Sequence, residues 1–331
     1  MATQNVLILG AGAIGAFYGS LLSRLATLRV SVVCRSNFRA VSTSGFRVTS
    51  PTFGEYTWKP FKVFGKPADA GNPALGGLRK WDYIVVSTKA LPDVSDDSVL
   101  LNGLVGDGTK VVLVQNGLGV EEPYVARWSS KGVRVLSAVT IASCEQVEHG
   151  VIRHNRWTRI NVAPFKCPND TGRDFVRWLN EVGVRDAKFD PEEKMQMLRW
   201  HKCAINAAMN PSSVLSGGAP NVDMSLDEEM SRHLIGVMQE VIDTAPKVVG
   251  IEMPKEFATA EQILASTKKN DSKSIPSMQQ DWAKGAKMEL EVILGAPIKL
   301  ARAKGIEMPR LQSIYALIKM KQKRRDAGHK L

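Results

Sequence analysis

The chain has no uninterrupted apolar run of about 18 residues, the length a membrane-spanning helix needs. Its four cysteines, Cys34, Cys144, Cys167 and Cys203, stand far apart, with no C-x-x-C pair and no histidines clustered beside them. That spacing argues against a disulfide framework and against a metal site. The first strand-like run starts within a few residues of Met1, so no signal peptide is expected. No internal repeat or low-complexity segment stands out. These absences lead to the expectation of a reduced, cytoplasmic protein with no metal and no membrane partner.

Acid is scarce relative to base. The 44 Lys and Arg against 33 Asp and Glu leave a net charge of +11. Between Lys319 and Lys330 six basic residues face one Asp, and this stretch supplies +5 of the total. Such a run can bind nucleic acid, but no aromatics interleave with it and no groove motif accompanies it, so a fraying helix end with solvated charge is expected instead. The remaining +6 suits an anionic cofactor and a small anionic substrate. A length of 331 residues with 44% apolar and 23% charged residues is ordinary globular material, long enough for two domains.

What is present begins at once. The apolar run Val6 to Leu9 is followed by Gly10, Gly12 and Gly15, the G-x-G-x-x-G spacing at a strand-to-helix turn. The first glycine permits the tight turn, the second lets the backbone approach a pyrophosphate, and the third lets the helix pack on its strand. The N–H groups at the helix start, at Ala13 and Ile14, and the positive end of its dipole favour phosphate. The helix is expected over Ala16 to about Leu25, and the next strand over Val30 to Cys34. An NAD-binding fold usually ends that second strand in an acid that holds the ribose 2′-hydroxyl. Here the position reads Cys34-Arg35-Ser36, with Arg39 one turn further on. With no acid and two guanidiniums at hand for a 2′-phosphate, the pattern points to NADP(H).

Buried strands are expected at Trp81 to Lys89, Thr109 to Gly119 and Val133 to Ser143, with antiparallel hairpin additions in 44–64 and 145–163. A helix is expected over 169–183, and the stretch after it closes the sheet. Near-continuous Val/Ile/Leu runs with short links indicate a parallel sheet covered on both faces. From about Pro191 the pattern turns helix-periodic. The fold class is therefore α/β: an N-terminal Rossmann-type doubly wound sheet over 1–190, then an all-α C-terminal domain over 191–331.

Ligands of such sheets bind beyond the carboxyl ends of the strands. Lys89 and Asn116 stand at two successive ends. Each has an ordinary reading, as a strand-end lysine and as a turn asparagine before Gly117, but together they suit nicotinamide or substrate contacts. In the helical part, Lys202, Asn206 and Asn210 recur at i, i+4 and i+8 on one helix face among Cys203, Ala204, Ala207 and Ala208. Pro211 is expected to stop that helix. Polar groups on an apolar helix need polar partners. These partners are either an interdomain hydrogen-bond network or an active site in which desolvated Lys202 donates a proton. Further on, Ser277 reads as an N-cap, Gly285 as a breaker, and Glu289 as the acid opening the next helix.

Taken in order, GAGAIG, the strand-end Lys89, QNGLG with Asn116, K-x3-N-x3-NP from Lys202, and PSMQQD followed by ELE resemble the ketopantoate reductase (2-dehydropantoate 2-reductase) family over nearly the whole chain. The resemblance implies reduction of a 2-oxo acid, ketopantoate to pantoate, by NADPH hydride. It implies Lys202 as proton donor and Glu289 as holder of the substrate hydroxyl and orienter of the lysine. Asn116, Asn206 and Asn210 would line the site, Ser277 would bind the carboxylate, and Lys89 would support the cofactor. The sequence departs from the family pattern at Ser274, Pro276 and Met288, where Asn, Ser and Thr are usual. Another small 2-oxo or 2-hydroxy acid is therefore the alternative substrate. A non-catalytic NADPH-binding regulator is a third reading, against which the presence of Lys202 and Glu289 stands. The helical domain is a candidate surface for a homodimer.

Overall fold

The computed structural model describes residues 3–269 and 274–328. The chain forms two compact units. Among the described residues, the first holds 3–89, 96–115 and 120–195; the second holds 90–95, 116–119, 196–269 and 274–328.

The first unit is built on strands β1 (Gln4–Leu9), β2 (Leu28–Val33), β3 (Phe46–Ser50), β4 (Gly54–Trp58), β5 (Val63–Phe64), β6 (Tyr83–Val86), β7 (Lys110–Leu113), β8 (Arg134–Glu148), β9 (Val151–Phe165) and β10 (Ala187–Phe189). They form one sheet in the order β4-β3-β9-β8-β7-β6-β1-β2-β5, with β10 paired to β9. From β5 to β8 every neighbouring pair is parallel. Helices α1 (Ala13–Leu22), α2 (Phe38–Ser44), α3 (Pro67–Ala70), α4 (Glu122–Trp128) and α5 (Arg173–Glu181) accompany it. Alternate residues go to opposite faces, as the period of a strand requires. Val6, Ile8, Val30, Val32 and Val85 meet Phe17 and Leu21 of α1 and Phe175 and Leu179 of α5 in one cluster. Leu7, Leu9, Ile84, Val86 and Leu113 meet Leu101, Leu104, Tyr124 and Trp128 in the other. Burial on both faces is why these strands carry unbroken Val/Ile/Leu runs.

The structure departs from the sequence reading in places. Helix α1 begins three residues early, at Ala13, because Gly12 is its extended N-cap and the Gly12 carbonyl already accepts the Ala16 N–H at 2.9 Å. The strand expected to end at Ser143 continues to Glu148, and 145–163 holds the turn end of the longer antiparallel β8–β9 hairpin rather than a separate one. Strand β8 keeps pairing with β9 through register shifts as far as Glu148 opposite Val151. Segment 44–64 does contain the antiparallel β3–β4 hairpin.

The second unit is helical, with α6 (Glu192–Leu215, entering from the first unit), α7 (Asn221–Leu226), α8 (Glu228–Val249), α9 (Ala260–Lys268), α10 (Ser277–Ala283), a π-turn (Glu291–Gly295), α11 (Ala296–Arg302) and α12 (Pro309–Asp326). Pro211 does not stop α6, which runs four residues further. Packing outweighs the cost of a proline, since Ala207, Ala208, Met209, Ser213 and Val214 on either side of it are buried. The basic end of the chain is solvated only in part, with Lys323 and Arg324 exposed but Arg325 and Asp326 held. Arg325 stacks over Trp282 at 4.6 Å and donates to the Ala286 carbonyl at 3.0 Å, and Asp326 pairs with Lys287 at 2.6 Å. The last basic residue of that run, Lys330, lies outside the described residues.

The glycine loop yields a stability prediction. Gly10 has φ +98°, and a Cβ there would meet the Thr88 backbone nitrogen at 2.6 Å, whereas a Cβ at Gly12 would meet nothing within 4 Å. Gly10→Ala should lower unfolding free energy by roughly 1–3 kcal/mol through strain and overlap. Gly12→Ala should stay within about 0.5 kcal/mol of the parent. Urea denaturation of the two variants checks both values, and equal losses would contradict this account of the loop.

Candidate active site

The glycine loop is held within the first unit. A Cβ at Gly15 would fall on Ser87 Oγ and the Gly10 carbonyl, so that position admits only glycine, while Ser87 Oγ itself donates to the Gly10 carbonyl at 2.7 Å. Asn37, buried just past β2, donates to the Ala11 carbonyl at 2.8 Å and to Gln146 Oε1 at 3.0 Å. The loop is thus fixed on both sides, while Gly12 faces open space and the helix start bearing Ala13, Ile14 and Gly15 is uncapped by any side chain. A cradle of free N–H groups at an open glycine fits the pyrophosphate of a nicotinamide dinucleotide. Arg35 and Arg39 are exposed beyond β2.

Lys89 stands three residues past β6 and Asn116 three residues past β7. The links before them are tied together in the first unit. Gln115 donates to the Thr88 carbonyl at 3.2 Å and to Thr88 Oγ1 at 3.1 Å, and Thr88 Oγ1 donates to Asp97 at 2.8 Å.

The second unit brings together the residues with the sharpest chemistry. Lys202 Nζ, on the partly buried face of α6, donates to Asn116 Oδ1 at 2.9 Å. Glu289, buried, accepts the Ala90 backbone N–H at 3.1 Å. Desolvation, helped by the Arg199 charge, lowers the Lys202 pKa to about 8 against the opposing pull of Glu289. An ammonium that still holds its proton at neutral pH but gives it up readily is suited to general acid work. Asn206 is half-buried and Asn210 buried, one and two steps further along α6.

Ser277 does not act as an N-cap. Pro276 occupies that position, Ser277 is the first helical residue, and no side chain caps the helix. Its hydroxyl is exposed at the start of α10. Glu289 precedes the π-turn, and its carbonyl accepts the Ile293 N–H at 3.3 Å. Ser274 is held from α7, where Asn221 donates to its carbonyl through the backbone at 3.2 Å and to its Oγ through Nδ2 at 3.4 Å.

Sequence reasoning missed three participants. Buried Arg199 donates to the Gly117 carbonyl at 3.2 Å and so fixes the loop that carries Asn116. Its spacing three residues before Lys202 was the available signal. The Ala90 N–H and the π-turn had none, because a backbone donor and a local helix irregularity leave no mark in residue type.

Comparison with known proteins follows the same division. Residues 6–166 match the family model described as ketopantoate reductase PanE/ApbA, and residues 194–322 match its C-terminal model. An uncharacterized protein of Saccharomyces cerevisiae is 30% identical, with 96% of this chain and 94% of that protein aligned. The crystal structure of 2-dehydropantoate 2-reductase from Methylococcus capsulatus is 30% identical, covers 97% of both chains and superposes with a TM-score of 0.81. A D-mandelate dehydrogenase solved with NADH and anilino(oxo)acetate covers 97% of this chain and 98% of its own at a TM-score of 0.77; at 16% identity that likeness is one of fold. By the glycine loop, the lysine helix and the two matched models, the chain belongs to the ketopantoate reductase family of nicotinamide-dependent oxidoreductases.

Proposed function

We propose that the protein reduces a small 2-oxo acid to its 2-hydroxy acid at the expense of NADPH, with 2-dehydropantoate as the first substrate to test. The observation that carries this reading is the half-buried Lys202 ammonium, bound to Asn116 at 2.9 Å and lowered to a pKa of about 8. NADPH, when bound at the glycine loop, supplies the hydride. Negative charge then develops on the carbonyl oxygen, and Lys202 stabilises that charge and delivers the proton from Nζ. Asn116 holds the ammonium in place by accepting one of its three N–H bonds. Glu289, pinned by the Ala90 N–H, is the acceptor for the substrate hydroxyl and keeps the lysine charged. Asn206 and Asn210 line the site, Ser277 takes the substrate carboxylate, and Lys89 supports the cofactor. Arg35 meets the 2′-phosphate, a role favoured by its exposure beyond β2 and the missing acid there. The departures at Ser274, Pro276 and Met288 keep another small 2-oxo acid as the second reading.

The test is NADPH consumption by the purified protein with a panel of 2-oxo acids that includes 2-dehydropantoate. Turnover of that acid above all others supports the first reading, turnover of a different acid supports the second, and none with any acid would sink both. Lys202→Ala should cut turnover by about 10²- to 10⁴-fold while NADPH affinity stays near the parent value. Because the ammonium is the active form, turnover should be flat below pH 8 and fall as pH rises past about 8. An alkaline limb near the ordinary lysine value would contradict the depressed acid. Arg35→Ala should weaken NADPH binding by roughly 10- to 100-fold, measured by fluorescence titration, and barely change NADH binding. Equal losses for the two cofactors would remove Arg35 from the phosphate.

A further inference from the structure

Three polar side chains of α12, Tyr315, Lys319 and Gln322, recur at i, i+4 and i+7 and so share one face of that helix. None has a part in the chemistry above, yet all three grip the segment that carries Glu289. Gln322, buried, accepts the Met288 backbone N–H at 2.9 Å. Tyr315 donates to Glu291 Oε1 at 2.6 Å, Lys319 Nζ donates to the same oxygen at 2.7 Å, and Lys319 also donates to the Tyr315 hydroxyl at 2.6 Å. Partial burial works against it, but Lys319 and Tyr315 hold the Glu291 carboxyl below its ordinary value. Space for this carboxylate is reserved. A Cβ at Gly295 would lie 2.7 Å from Glu291 Oε2 and 3.3 Å from the Tyr315 hydroxyl, although Gly295 has an ordinary helical backbone at φ −66°.

Glu291 is the first residue of the π-turn, whose widened backbone frees carbonyls from the usual helical pairing. Two of these carbonyls are used to fasten the site. The Val292 carbonyl accepts the Leu118 N–H at 3.0 Å, and the Ile293 carbonyl accepts the Cys203 thiol at 3.3 Å. Gly117, at φ +87°, lies so close that a Cβ there would meet Val292 Cβ at 2.5 Å. The π-turn therefore touches the residue after Asn116 and the residue after Lys202, and it begins two residues after Glu289.

We propose that the Tyr315–Lys319–Gln322 stripe, acting through Glu291 and the π-turn, is the positioning element that sets Lys202, Asn116 and Glu289 in their working geometry. The inference rests on the reading of Lys202 as proton donor. The charged and titratable groups that face Lys202 are Arg199 and Cys203 of its own helix and Glu289. Releasing the π-turn lets Glu289 and the Asn116 loop drift, which weakens their hold on the charged form, but it also admits water to the ammonium, and relief of desolvation, the largest of these effects, moves its pKa back toward that of an ordinary lysine.

Two variants test this independently. Tyr315→Phe with Lys319→Met removes both donors to Glu291, one at a half-buried position and one at an exposed position. Gly295→Ala instead displaces the carboxylate from within. Each should lower kcat by about 10- to 100-fold, the scale of a small misplacement at a reacting centre. NADPH dissociation constants should remain within about twofold, and the alkaline limb of the pH profile should move upward. Thermal unfolding of both variants separates positioning from simple damage, and a lowered melting temperature with unchanged kcat and alkaline limb would overturn the proposal. A titration of ¹³C-methylated Lys202 by NMR needs no substrate. It should give a higher pKa in both variants than in the parent, and equal values would again overturn the positioning role. If the parent turns over no 2-oxo acid, the reading of the reaction fails, and this titration alone then decides the positioning role.

Discussion

A lysine ammonium drawn away from water must be compensated by fixed dipoles or charge, or it surrenders its proton. The second unit answers this demand only in part, and on the proposed reading that incompleteness is what makes Lys202 an acid. Lys202 receives one neutral acceptor, Asn116 Oδ1, and a carboxylate near enough to favour its charged form. It also has the opposing Arg199 charge on the same helix. The balance leaves an acid with a pKa of about 8 rather than an inert cation. Much of the surrounding structure serves to keep these groups from relaxing to a more comfortable arrangement.

Backbone groups do most of that holding. The Asn116 loop is pinned through its Gly117 carbonyl by Arg199 and through its Leu118 N–H by the π-turn, and Glu289 is pinned by the Ala90 N–H. Backbone contacts of this kind are stiff, because moving them means moving whole elements. The glycines follow from the same constraint. Gly117 and Gly295 are small because a backbone or a carboxylate occupies the space a side chain would fill, whereas Gly12 is small on its open side, where a phosphate can approach.

Legibility in the sequence follows the range of each interaction. The glycine loop, the buried parallel strands and the Lys202–Asn206–Asn210 face are local patterns set by strand and helix periods, and each was readable without a structure. The family resemblance implied that Lys202 and Asn116 share a site, but their hydrogen bond spans 86 positions and came into view only in the structure. Pro211 misled because its local cost is overridden by tertiary packing, and Ser277 misled because Pro276 takes the cap position first. The basic C-terminal helix read as solvated charge because its partners, Glu291, Trp282 and the Ala286 carbonyl, lie more than 20 positions away in the chain. The π-turn itself leaves no residue signature, and the partners of its carbonyls and of its acid lie elsewhere in the chain.

The central claim is that this arrangement transfers hydride and proton to the carbonyl of a 2-oxo acid. Its most direct test is single turnover with NADPH deuterated at the transferring carbon of the nicotinamide, on one face at a time, followed by mass spectrometry of the product. The account predicts a 2-hydroxy acid carrying one deuterium at C2 from one of the two labelled faces and none from the other. Finding no labelled 2-hydroxy acid from either face, with any acid tested, would contradict it.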